Sequence, residues 1–211
     1  MHVEIIKFLS IFSPLLALVA GYRRRFTLLW YYALAGLFFD LLLLVLKRGL
    51  EVNHLWAANL FVLTEFLLLT FYYREQLFKN RALFSSLVFL GSAFFITTTA
   101  LKSIFAFNAI GASVFFLAYI IYGILGLYKM LQAQDELFLE RSSFFWVNVA
   151  LIIYASGNFL LFLFMDYLRQ HDDKMLLMLW ASTFQVLNII KNMLLGIALS
   201  KKAQNWTSPA L

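Results

Sequence analysis

The sequence has no cysteine, two prolines, three histidines and few charges, with Asp, Glu, Lys and Arg making up 13% of 211 residues. Without cysteine there is no disulfide framework, no thiol nucleophile and no cysteine-ligated metal. A soluble domain carries about 25% charged residues, so the shortage of charge points away from water. What fills the gap is apolar: 63% hydrophobic and 18% aromatic. That is more than one water-soluble core of this size can bury. Soluble enzymes, disordered chains and disulfide scaffolds are excluded. The composition describes an integral membrane protein.

In hydrocarbon the backbone must satisfy its own hydrogen bonds, so long apolar runs are helices. About 20 residues cross a bilayer core of about 30 Å. Seven runs qualify, near Ile5–Tyr22, Thr27–Leu46, Leu55–Tyr73, Ala82–Leu101, Ile110–Leu131, Ser143–Met165 and Met175–Leu199. The expectation is an all-α, seven-transmembrane-helix bundle forming one domain over 1–202, with a mobile tail at 203–211. Only short connections remain between spans. The first run is read as a helix, not a signal peptide, because Arg23, Arg24 and Arg25 flank its C-terminal end. Pro14 within it removes the backbone donor to Ser10.

Lys and Arg sort unevenly between the two sets of loops. One side collects ten, including Arg23–Arg25, Arg74, Lys79, Arg81, Lys201 and Lys202; the other collects six, among them Lys47, Arg48 and Lys102. The positive-inside rule then places the N-terminus outside and the C-terminus in the cytoplasm. The net charge of +6 reads as topology and attraction to membrane lipids, with no nucleic-acid surface. The Asn205-Trp206-Thr207 sequon would face the cytoplasm and stay unglycosylated.

Three ionisable residues lie within spans: Asp40, Glu65 and Lys191. Each costs about 2.5–3.5 kcal/mol at a helix centre, so each needs a partner or water. Asn59, Asn148, Asn158, Gln185, Asn188 and Asn192 accompany them. Rise per residue puts Asp40, Asn59 and Asn158 within about 10 Å of the outer boundary, Glu65 and Gln185 near the middle, and Lys191, Asn192 and Asn148 in the inner half. Gln185, Asn188, Lys191 and Asn192 form one stripe on the last helix. The expected polar interior is lined by the second, third, sixth and seventh spans. An outer pocket would use Asp40, Asn59, Asn158 and Gln185. The competing reading is structural: Lys191 pairs with Glu65 or Asp40, and the amides fix the bundle.

Lys191 on the seventh helix and Glu65 on the third resemble the Schiff-base lysine and counter-ion of microbial rhodopsins. That resemblance implies retinal on Lys191 as the one cofactor to consider. The sequence departs from the pattern at Leu187, where the family places an acid. The third helix reads Asn59-Leu-Phe-Val-Leu-Thr-Glu65, and the sixth lacks proline.

Other chemistry has weaker support. Glu51, Asn53, His54, Asp166, His171, Asp172 and Asp173 in the outer loops are of metal-ligating type, but solvated loop charges explain them better. His2, His54 and His171 all lie outside the span centres, which excludes the embedded three-histidine zinc hydrolases and di-haem cytochromes. No nucleophile elbow or phosphate loop is present. An enzyme is not expected. The sequence favours a sensor or ligand-binding protein of the bacterial cytoplasmic membrane, holding a small amphipathic ligand. The candidate residues are Asp40, Asn59, Glu65, Asn158, Gln185, Asn188 and Lys191. A signalling partner in the membrane or cytoplasm would dock at the loop Leu131–Arg141. Proton or small-solute transport through Glu65 and Lys191 is the alternative.

Overall fold

The computed structural model describes residues 2–25, 27–78, 80–133 and 139–201. The tail 203–211, its sequon and the centre of the Leu131–Arg141 loop lie outside the described residues. Nine α-helices are seen among those described: α1 His2–Ala20, α2 Leu28–Leu44, α3 Leu55–Leu77, α4 Arg81–Lys102, α5 Ala109–Ala133, α6 Ser143–Leu163, α7 Met165–His171, α8 Asp173–Leu179 and α9 Gln185–Ser200. No strand occurs among them. Polar residues at the edges of apolar runs start the helices by accepting from free first-turn amides. Thr27 caps α2, Asn80 caps α4 and Ser142 caps α6 in this way.

Six segments of the described chain are long and apolar enough to cross a membrane: Leu28–Gly49, Leu55–Leu77, Arg81–Lys102, Ala109–Gln132, Ser143–Leu163 and Ser182–Ser200. Helix α1, which carries Glu4 and Lys7 in its first two turns, is not among the six. The molecule is thus an all-α protein of membrane-spanning type. Its exterior fits that solvent: Phe89, Leu90, Leu101 and Met178 are each more than 60% exposed.

Two helices run past their expected ends. Helix α2 continues through a π-helical turn, Val45–Gly49. The last span begins as α8 and passes through a second π turn, Trp180–Phe184, before α9. Wide turns of this kind are rare and gather at functional sites.

The interior is largely aromatic. Phe66 of α3 stacks on Phe115 of α5 with ring centres 4.0 Å apart, and Phe115 stacks on Phe95 of α4 at 5.1 Å. Helix α6 is held between α5 and α9 through Val147, Ala150, Leu151 and Ala155, none of them exposed. Ion pairs join helix ends that share one membrane side, Arg48 to Glu4 and Lys102 to Asp166. Hydrogen bonds from Arg48 and Lys7 hold the Glu4 carboxyl below its ordinary pKa.

Asn108 ties α4, α5 and the preceding loop together. Its Oδ1 accepts from the Gly111 amide at 2.9 Å, capping α5. Its Nδ2 reaches Phe95 O, Thr98 Oγ1 and Thr99 Oγ1 at 3.1, 2.7 and 2.9 Å. Asn108→Ala removes the cap and these buried bonds together. The expected loss is about 1–3 kcal/mol, measured as a lower denaturant midpoint in mild detergent, with an unchanged midpoint counting against this role.

Candidate functional site

Glu65 and Lys191 are brought together in the interior. Lys191 Nζ lies 3.7 Å from Glu65 Oε1, with the two side chains 4% and 2% exposed. Tyr32 of α2 donates its hydroxyl to the same Glu65 oxygen at 2.7 Å, a charge-assisted bond of the stronger kind. The ammonium also sits 4.2 Å from the Tyr154 ring centre and 5.2 Å from that of Tyr32. Aromatic faces attract cations most where water is excluded.

Asp40 completes the centre. It lies within electrostatic reach of both Lys191 and Glu65 and lines a cavity with Lys191, Tyr32, Tyr154 and Asn188. Counted at 1.5 Å per residue from the α2, α3 and α9 ends that share a membrane side, the three depths are about 18, 18 and 14 Å. Asp40 and Glu65 thus stand at similar heights in the bundle, with Lys191 about one turn away. The π turn extends the helix of Asp40 to Gly49. The cavity offers about 10 Å³ to water centres, roughly the minimum for a single water. Pockets for organic ligands need about 300 Å³ or more. Glu65 and Lys191, the two residues of the rhodopsin resemblance, do meet.

The polar stripe of the last helix divides between two neighbours. Lys191 faces α3, whereas Asn188 and Asn192 face α1. Asn188 Nδ2 donates to Ser10 Oγ at 3.0 Å, and Asn192 Nδ2 to Ser13 Oγ at 2.7 Å. Ser13 Oγ in turn donates to the Ser10 carbonyl at 2.7 Å. That carbonyl is the one deprived of its helical donor by Pro14. The serine repairs the gap, and the asparagine clasps the repair.

The remaining amides do not build the expected outer pocket. Asn59 donates to Ala106 O at 2.8 Å and accepts from the Asn108 amide at 2.9 Å, pinning the loop before α5. Asn158 donates to Tyr154 O one turn back on its own helix, at 2.8 Å. Asn148 accepts from Tyr73 Oη at 2.5 Å. Gln185 is half-buried at the start of α9 and does not line the cavity at Asp40. Among the described residues, the Asn158 carbonyl oxygen and the Tyr119 hydroxyl are buried without a hydrogen-bond partner. Tyr119 lies within electrostatic reach of Glu65. Tyr32, Tyr119 and Tyr154 carry no sequence signal that separates them from the other tyrosines. Ser10 and Ser13 did have one, their spacing around Pro14. Among the described residues, no three His, Cys, Asp or Glu side chains gather as metal ligands.

A larger cleft opens where the α1–α2 turn, the end of α3, the start of α6 and the end of α9 meet. It offers about 230 Å³ and is lined by Arg24, Tyr72, Glu75 and Gln76 above Leu28, Phe71 and Phe144. Partial burial lowers the Arg24 pKa, opposed by the neighbouring Tyr72. Compared with known protein families, curated proteins and solved structures, the chain matches none.

Proposed function

We propose that this chain is a membrane sensor whose intramembrane ligand is a proton. The observation that carries the reading is charge balance in a confined space. Two carboxylates, Asp40 and Glu65, face one ammonium, Lys191, in a layer with room for about one water. With all three ionised, one negative charge is in excess, which is costly away from bulk water. A proton removes the excess. Glu65 is held by Lys191 and Tyr32, which leaves Asp40, at the cavity, as the carboxylate that exchanges it. The amphipathic ligand expected from the sequence does not suit this small space.

In this reading α1 is a seventh span, docked on α9 through Ser10 and Ser13. The ten-to-six bias of Lys and Arg puts the N-terminus outside and the C-terminus inside, in a bacterial cytoplasmic membrane. A signalling partner reads the protonation state.

Infrared difference spectra of the protein in lipid, recorded between acid and alkaline pH, test the site. The expected result is a protonated-carboxyl band that titrates in the wild type and is lost in Asp40→Asn. An identical band in that variant would overturn the assignment.

Proton transport is the second reading, favoured by the π turns on the two helices that carry Asp40 and Lys191. Proteoliposomes separate the two: flux above the protein-free leak that falls in Glu65→Gln means conduction, and leak-level flux in both leaves the sensor.

A further inference from the structure

The cleft at the Arg24 end is a different site, about 10 Å along α3 from Glu65 if measured to Tyr72. Arg24 is half-buried there and Glu75 is exposed. Both line the cleft, yet they form no ion pair with each other, and neither side chain has an ion-pair partner among the described residues. A guanidinium partly withdrawn from water without a carboxylate beside it is costly. Such a group is suited to an external anion, and guanidinium geometry matches phosphate oxygens.

The apolar part of the cleft says where that anion comes from. Leu28 and Phe71 are 39% and 41% exposed, so the lining continues onto the hydrocarbon-facing surface. Leu29, Phe144 and Leu199 are buried and form the back wall. Tyr72 offers an amphipathic ring of the kind that sits at the headgroup level. A soluble anion makes no use of Leu28 and Phe71; a lipid does. The carboxylate of Glu75 repels a purely anionic headgroup and attracts one that also carries an ammonium.

We propose that this cleft binds a zwitterionic aminophospholipid, with its phosphate on Arg24, its primary ammonium on Glu75 and an acyl chain along Leu28 and Phe71. A phosphatidylcholine satisfies Arg24 but has no N–H to give Glu75. A phosphatidylglycerol satisfies Arg24 and is repelled by Glu75. The order of preference is therefore ethanolamine over choline and glycerol. Basic clefts between transmembrane helices are a general means of holding lipid headgroups, and the acid sharpens the choice.

The full chain, delipidated in mild detergent, is mixed with equal amounts of phosphatidylethanolamine, phosphatidylcholine and phosphatidylglycerol, and bound lipid is counted by native mass spectrometry. Phosphatidylethanolamine should be retained at least fivefold over either competitor. Arg24→Gln should lower its retention about tenfold, while Arg23→Gln on the exposed neighbouring position leaves it unchanged. Glu75→Gln should abolish the preference for ethanolamine without abolishing lipid binding. Unfolding of each variant in lipid-free detergent checks that the fold persists, and Arg24→Lys, which keeps the charge, should retain part of the binding if Arg24→Gln unfolds. Equal retention of the three lipids by the wild type, or equal retention by wild type and Arg24→Gln, overturns the proposal. So does binding of soluble phosphoethanolamine as tight as that of the lipid, which would make the ligand aqueous. None of these outcomes bears on the proton site.

Discussion

Lys191→Met should cost the bundle about 3–5 kcal/mol, and adding Glu65→Gln should return most of it. The aliphatic stem of lysine is replaced by a side chain of similar volume, so packing changes little. What changes is that Glu65, 2% exposed, keeps the Tyr32 hydroxyl and loses its counter-ion. A buried carboxylate with one neutral donor is far more expensive than a buried ion pair. Glutamine in its place still accepts from Tyr32 and carries no charge. Denaturant unfolding in mild detergent, followed by loss of helix, measures all three proteins. If the double variant is no more stable than Lys191→Met, Glu65 is not the operative partner. Rescue by Asp40→Asn in its place would then transfer that role to Asp40.

Gly126→Ala is expected to be nearly as damaging, by a different mechanism. A Cβ there would run into the carboxamide of Asn148, whose atoms are the three nearest to it. Asn148 cannot swing away freely: its Oδ1 accepts from Tyr73 Oη and its Nδ2 donates to Phe144 O at 2.8 Å. Overpacking costs about 1–3 kcal/mol, and a Tyr73 hydroxyl left unpaired adds about 1–3 kcal/mol. Asn148→Ala alone forfeits the same hydrogen bond, so the double variant should cost clearly less than the sum of the singles. Additive losses would show that the two positions do not share one contact. Gly157→Ala is the control, because its new Cβ meets only the flexible tip of Leu187 and should cost much less.

The helices were legible in the sequence because hydropathy and length decide them, and six apolar spans stand where the runs predicted. That Lys191 needs an acid was legible too, from the cost of burying an unpaired ammonium. Which acid was not. Asp40 and Glu65 both lie within electrostatic reach of Lys191, and a π turn after position 44 is not encoded in any hydrophobic period. The amides divided for a similar reason. Asn59, Asn148 and Asn158 stand out against an apolar background, but an asparagine that clasps a loop, a tyrosine or its own backbone has the same sequence signature as one that lines a pocket. Tyr32 and Tyr154 drew no attention because a tyrosine is at home in a membrane core. The Arg24 cleft was hidden most completely. Its lining comes from four helix ends distant in sequence, and the triple arginine beside it already had an explanation in topology.

The clasp between α1 and α9 bears on how the protein is made. Ser10 and Asn188 are 178 residues apart, and Ser13 and Asn192 are 179 apart. Synthesis proceeds from the N-terminus, so α1 is complete long before its partner residues on α9 exist. During that interval the Ser13 hydroxyl satisfies the carbonyl orphaned by Pro14, and the helix carries its own temporary repair. The interhelical half of the clasp forms only once residues 188 and 192 have been made. Helix α1 is therefore made before α9 and locked only after it, and a chain stopped before α9 lacks the partners of Ser10 and Ser13.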